Sequence, residues 1–353
     1  MDKLNAFLQR KNIVISAKRY GIDALGAMAQ GLFCSLLIGT IIKTLGQQLG
    51  VPFLDIGGYA SAMSGPAMAA AIGYALQAPP LVLFSLIAVG SAANGLGGAG
   101  GPLAVLVIAI LAAEIGKAVS KETKVDILVT PLVTICAGVA LSAWWAPAIG
   151  AAASAFGQLI KDTTVLQPFW MGIVVSVLVR IALTLPISSA AICAAFGLTG
   201  LAGGAAVAGC CAQMVGFAVL SFRENRWGGL VSQGIGTSML QMPNIVRNPR
   251  IWLPAIVTSA ITGPIATCVF RLEMNDPAGG VASGMGTCGL VGQIGVYAGW
   301  VSDVAAGIKP AITAFDWAGL VLVCFILPAV LCWALGLGCR RLGWIKEGDL
   351  TLS

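Results

Sequence analysis

PLAVLVIAILAAEIGKAV, residues 102–119, is a run in which only Glu114 and Lys117 carry charge. A membrane-spanning helix needs roughly 20 mostly apolar residues, and this stretch meets that requirement almost alone. Five more runs of similar character precede the middle of the chain or flank this one, at 22–45, 58–76, 80–93, 127–149 and 169–185. The run at 80–93 reaches spanning length only when the Gly-rich end that follows, Asn94-Gly95-Leu96-Gly97-Gly98-Ala99-Gly100-Gly101, is counted with it.

Composition agrees. Of 353 residues, 58% are hydrophobic and 10% charged, against about 25% charged in an ordinary soluble domain. The 46 glycines fit helices whose backbones touch or whose ends are unwound. The net charge of +6 resides mostly in short segments between apolar runs, which is the pattern that fixes membrane orientation and not a nucleic-acid footprint. The first apolar run carries no convincing cleavage site and is expected to remain as the first span.

Histidine is absent and no CxxC pair occurs. Zinc sites, Ser-His-Asp triads and histidine proton relays therefore have no support, no cofactor is implied, and no nucleophile stands beside a base. The ten cysteines lie largely in apolar stretches and read as small reduced packing residues.

Lys3, Arg10, Lys11, Lys18 and Arg19 place the amino terminus in the cytoplasm, and the turn holding Lys117, Lys121 and Lys124 falls on the same side after four crossings. Beyond Pro186 the apolar runs are broken by Gly and Pro, while Arg223, Arg226, Arg247, Arg250, Arg340, Arg341 and Lys346 all call for the cytoplasmic side. Parity is satisfied if 187–222 and 228–245 enter and leave from the cytoplasm, 279–300 does so from outside, and 252–270 and 317–339 cross. The expectation is an all-α polytopic membrane protein of about 8–10 transmembrane helices with re-entrant hairpins and both termini cytoplasmic. Its parts are a cytoplasmic or interfacial segment at 1–21, helices one to six at 22–186, a transport-type region at 187–300, and a last helix with tail at 301–353.

Re-entrant backbone is tolerated at membrane depth only where protein or a water-filled cavity shelters it, so such segments mark a pathway. Gly234-Ile235-Gly236-Thr237-Ser238 is echoed by Gly284-Met285-Gly286-Thr287-Cys288, each on one candidate hairpin. Glycines let the chain turn and expose backbone groups; threonine hydroxyls add donors and acceptors. Two packing notches of small residues would give the same pattern. With Gln241, Asn244 and Gln293 near the tips, the candidate solute lining is Thr237, Ser238, Gln241, Asn244, Thr287 and Gln293. Glu114 and Arg180, ionisable residues inside predicted spans, sit at similar depth and suggest a structural ion pair, a gate or a solute-binding pair.

The runs QGIGTSMLQMPNIVRNPRIWLPAIVTSAITGPIAT (233–267), GMGTCGLVGQIG (284–295) and KVDILVTPLVTI (124–135) resemble the membrane family named for the perfringolysin regulator PfoR, classed among the phosphotransferase-system enzyme IIC proteins. The resemblance runs over nearly the whole chain. It implies an enzyme IIC-like fold with a scaffold and a mobile transport domain, a sugar-like solute, paired protomers and a bacterial inner-membrane location. The sugar enzyme IIC proteins place a glutamate and a histidine around the sugar. Here there is no histidine, and neither GxGT segment holds an acid, so neither role maps onto this chain. Phosphoryl coupling would need separate phosphotransferase-system components. The family's name also supports a different class of function, a membrane sensor that regulates gene expression through a partner protein.

Overall fold

The computed structural model describes residues 2–50, 54–275 and 280–352. Helix accounts for 82% of the chain, and the only β pairing among the described residues is a lone bridge between Gly200 and Met274. Among the described residues, six helical runs are long and apolar enough to cross a membrane. The expected all-helical, polytopic class therefore holds. The chain packs as two compact units, Met1–Ala153 and Ser154–Ser353, with the boundary inside a single helix.

The first unit opens with α1 (Asp2–Arg10) and the span α2 (Arg19–Lys43). The expected single span at 58–76 is instead two short helices, α3 (Leu54–Ala62) and α4 (Ser64–Ala75), separated at Met63. Pro66 accounts for the break, because a proline inside the first turn removes the amide that would continue the ladder from α3. Close packing on α2 runs through glycine: a Cβ on Gly31 would lie 2.6 Å from the Ala67 carbonyl oxygen, and one on Gly39 would lie 2.7 Å from that of Gly57. This is the small-residue contact by which helices associate where lipid offers no hydrophobic drive.

α5 (Pro80–Gly97) and α6 (Gly101–Val119) fold back on each other. Gly98 makes the turn at φ +50° and ψ −123°, a region closed to residues with a Cβ. The Gly-rich stretch thus ends one helix and begins the next, giving α5 the length it needs. α7 (Asp126–Asp162) runs 37 residues through Pro131 and Pro147, about 55 Å at 1.5 Å per residue, well beyond the expected end at Ile149. A bilayer core is about 30 Å thick, so this helix is longer than one straight crossing requires.

In the second unit, α8 (Pro168–Thr184), α9 (Ser189–Ala195) and α10 (Gly200–Leu220) follow in order. The segment 187–222, expected to be re-entrant, is a short helix followed by one 21-residue helix long enough to cross by itself. α10 is buried almost throughout, with α8 on one flank and α13 (Leu253–Pro264) on another. A helix that is small, apolar and buried on every side is the core around which a unit assembles. Between them lie α11 (Phe222–Val231) and α12 (Met242–Arg247); beyond them come α14 (Val291–Ala305) and α15 (Ala314–Arg341). Gly279, the expected start of the third re-entrant segment, lies outside the described residues.

Several of the basic residues meet acids within their own unit. Arg10 and Lys11 both meet the Glu122 carboxylate, at 2.7 and 2.5 Å, so the amino-terminal segment and the turn after α6 share one end of the first unit. Lys11 also donates to the Ser120 carbonyl. In the second unit Arg340 pairs with Glu224 at 2.8 Å, joining α11 to the end of α15, and Asn248 donates to Asp349 at 2.8 Å, joining the turn after α12 to the carboxy-terminal tail.

Candidate functional site

The first GxGT segment interrupts its helix, and the second lies in irregular turns ahead of α14. After α11, kinked at Arg226 (φ +51°), the chain forms a wide turn at Ser232–Gly236. Thr237 then becomes extended at φ −153° and ψ 141°. Its Oγ1 accepts from the Met239 amide at 3.2 Å, capping the tight turn Ser238–Gln241. The second segment turns at Ala282–Gly284, passes Gly286 at φ +56°, and reverses again through Gly289 (φ +53°) and Leu290 (φ +60°) before α14 begins. A Cβ on Gly286 would sit 2.6 Å from that of Cys210 on α10, so the turn presses directly on the core helix.

The two breaks touch. The turn Ser232–Gly236 packs against the turn Cys288–Leu290, and both rest on α10 or on the elements beside it. Thr237, Ser238, Gln241, Asn244, Thr287 and Gln293 are all buried. Polar side chains at the heart of an apolar protein must find partners, and three sets of contacts serve them.

One set joins the first motif to the tail. Gln233 donates to Ser221 Oγ at 2.8 Å, Gln241 donates to Gln233 Oε1 and to the Leu350 carbonyl at 2.9 Å each, and Asn244 donates to Gln241 Oε1 and the Thr351 carbonyl at 2.8 Å each. Gln241 and Asn244 therefore face the carboxy-terminal tail. A second set runs from Ser238, 3.4 Å from Thr184 Oγ1, through Gln213, which donates to Thr184 at 2.6 Å, to Arg180, whose Nη1 donates to Gln213 Oε1 at 2.6 Å. The third belongs to the second motif: Gln293 donates to Cys211 Sγ at 3.1 Å, while Gln293 Oε1 and Thr287 Oγ1 have no hydrogen-bond partner.

The six lining candidates are thus distributed, with Thr237 capping its own turn, Ser238 in one network, Gln241 and Asn244 in another, Thr287 on the facing turn and Gln293 in the first turn of α14. Sequence reasoning passed over Thr184 and Gln213, which connect Arg180 to the first motif. The spacing of Ser176, Arg180 and Thr184, four residues apart on one helix face, was the available signal.

Glu114 and Arg180 each find a partner within their own unit. Glu114 pairs with Lys117 at 2.8 Å and accepts from the Tyr20 hydroxyl at 3.1 Å; Lys117 also donates to the Leu76 carbonyl at 3.2 Å. The i, i+3 spacing of Glu114 and Lys117 on α6 already contained this pairing. Arg180 has Gln213 and the Trp252 ring, whose centroid lies 5.2 Å from the guanidinium carbon.

Spanning helices, glycine-mediated contacts and buried polar networks define a polytopic membrane protein. Its family follows from comparison: the model for Phosphotransferase system, EIIC matches residues 22–352, and the chain belongs to that family. It is a membrane sugar-transport component. No curated protein and no solved structure matches it.

Proposed function

We propose that the protein carries a small, polar, sugar-like solute across a bacterial inner membrane by alternating access, with the solute held where the two GxGT turns meet. What supports the reading is one observation: two threonine-bearing turns, far apart in sequence, are both broken, both buried and in contact with each other. Broken backbone is costly at membrane depth and persists where something makes use of its exposed groups. Thr287 Oγ1 and Gln293 Oε1, buried without partners, are the atoms a solute hydroxyl would satisfy. The mobile part is the 187–300 region, working against the helices of 22–186. The termini are cytoplasmic, the working form is a homodimer, and any phosphoryl transfer depends on separate phosphotransferase-system components. Uptake of labelled sugars and polyols into proteoliposomes tests the proposal, and the absence of saturable flux for every such solute would refute it.

One contact favours a second reading, a sensor acting through a partner. The tail residues Leu350 and Thr351 bond directly to Gln241 and Asn244, so occupancy at the first motif has a physical route to the tail. Tight solute binding without flux would select this reading.

A further inference from the structure

Arg180 is fully buried and uses only part of its hydrogen-bonding capacity. Nη1 is held by Gln213, whereas Nε and Nη2 have no partner. The Trp252 ring lies with its centroid 5.2 Å from the guanidinium carbon, a cation–π contact that supplies no hydrogen-bond acceptor oxygen. Among the described residues, the ion pairs of this unit, Lys309 with Asp316 and Arg340 with Glu224, leave Arg180 out. A buried cation without a counter-charge is strongly unfavourable, so a site that keeps one has a use for it.

The geometry of the free donors narrows that use. Nε–H and Nη2–H point the same way and form the parallel fork that matches the two oxygens of a carboxylate. Gln213 grips the opposite side and fixes the direction of the fork. Through Gln213 and Thr184 the guanidinium is linked to Ser238 in the first Gly-Thr turn. Cys210, one turn before Gln213 on α10, packs against Gly286 in the second.

We infer that the unoccupied fork of Arg180 recognises a carboxylate on the solute, and that the solute is a sugar acid, a polyhydroxylated carboxylate whose hydroxyls reach the GxGT turns. The inference rests on the transport reading and sharpens its substrate class.

The test compares gluconate, glucuronate and galacturonate with sorbitol, glucose and galactose, using thermal shift of the full-length protein in detergent and uptake into proteoliposomes. At least one acid should stabilise the protein while its neutral counterpart does not. Arg180→Lys keeps the charge but loses the fork, and should weaken acid binding by about tenfold or more. Arg180→Gln should abolish binding with the melting temperature unchanged or raised, because a buried unpaired cation is removed. Should Arg180→Gln fail to fold, the lysine variant decides. Equal binding of neutral and acidic members, no binding of any acid, or wild-type acid affinity in Arg180→Lys would overturn the assignment, as would binding confined to glucose 6-phosphate. Saturable uptake of a neutral sugar untouched by Arg180→Lys removes this inference and leaves transport standing. Tight acid binding without flux does the reverse.

Discussion

Gln241 donates its side-chain amide to the carbonyl oxygen of Leu350 at 2.9 Å, tying the first GxGT segment to the end of the chain. The Leu350 side chain is fully buried in an apolar cluster with Phe217, Ile245 and Ile251. Leu350→Ala should therefore cost about 2 to 5 kcal/mol, the usual range for a buried leucine. Truncation before Asp349 should cost more, since buried donors on Gln241 and Asn244 then lose their acceptors. Thermal unfolding in detergent checks both, and an unchanged melting temperature in the truncated protein would show that the tail does not hold the motif.

The two motif glycines differ in what they tolerate. A Cβ on Gly234 would meet nothing closer than Ala218 Cβ at 3.4 Å, and Gly234→Ala should fold and function. Gly286→Ala combines a positive φ with a Cβ 2.6 Å from that of Cys210, and should lower stability by several kcal/mol or prevent folding. Cys210→Gly in the same chain removes that Cβ but leaves the Cys210 carbonyl carbon 2.9 Å away and the positive φ, so rescue should be slight. Expression level and melting temperature read this series.

Removing the two threonine hydroxyls should have opposite signatures. Thr287 Oγ1 is buried without a partner, so Thr287→Val should leave stability unchanged or raised while solute uptake falls. Thr237 Oγ1 caps the Met239 amide, and Thr237→Val should cost about 1 kcal/mol in addition to any effect on uptake. Normal uptake in both variants would exclude the hydroxyls from the solute site.

The docking of the amino-terminal segment should be acid-sensitive. The hydrogen bond from Lys11, with Arg10 beside it, holds the Glu122 carboxyl below the ordinary carboxylate range. A depressed folded-state value means that this contribution is complete above the ordinary range and fades as pH falls through the depressed one. Glu122 is solvent-accessible, so salt should weaken the contact as well. Glu122→Gln should accelerate trypsin cleavage after Arg10 and Lys11 at neutral pH, and raised salt should do the same to the parent protein.

The spans were legible because lipid imposes a length and a composition, and residues 102–119 satisfy both. The ends of α5 and α7 were less so. Gly95 and Gly97 are weak helix formers in water, yet the helix persists to Gly97 because packed neighbours and apolar surroundings leave the backbone no better partner. Pro147 gave no stop to α7 for the same reason. The breaks at Gly234–Ser238 and Gly284–Cys288 could be found from glycine density and their echo. The partners of their side chains could not, since the carbonyls of Leu350 and Thr351 are features of every residue and carry no sequence signature. Arg180 stood out as a buried charge, but that its fork is left free depends on where Gln213 sits.

The contact between the two turns has an electrical meaning. The turn Ser232–Gly236 closes a helix that runs toward the contact, and α14 starts just beyond the facing turn, so a carboxyl-side pole meets an amino-side pole. One rim of the junction is rich in lone pairs and the other in hydrogens. An alcohol group, which gives and takes at once, can bridge such a junction without carrying charge of its own.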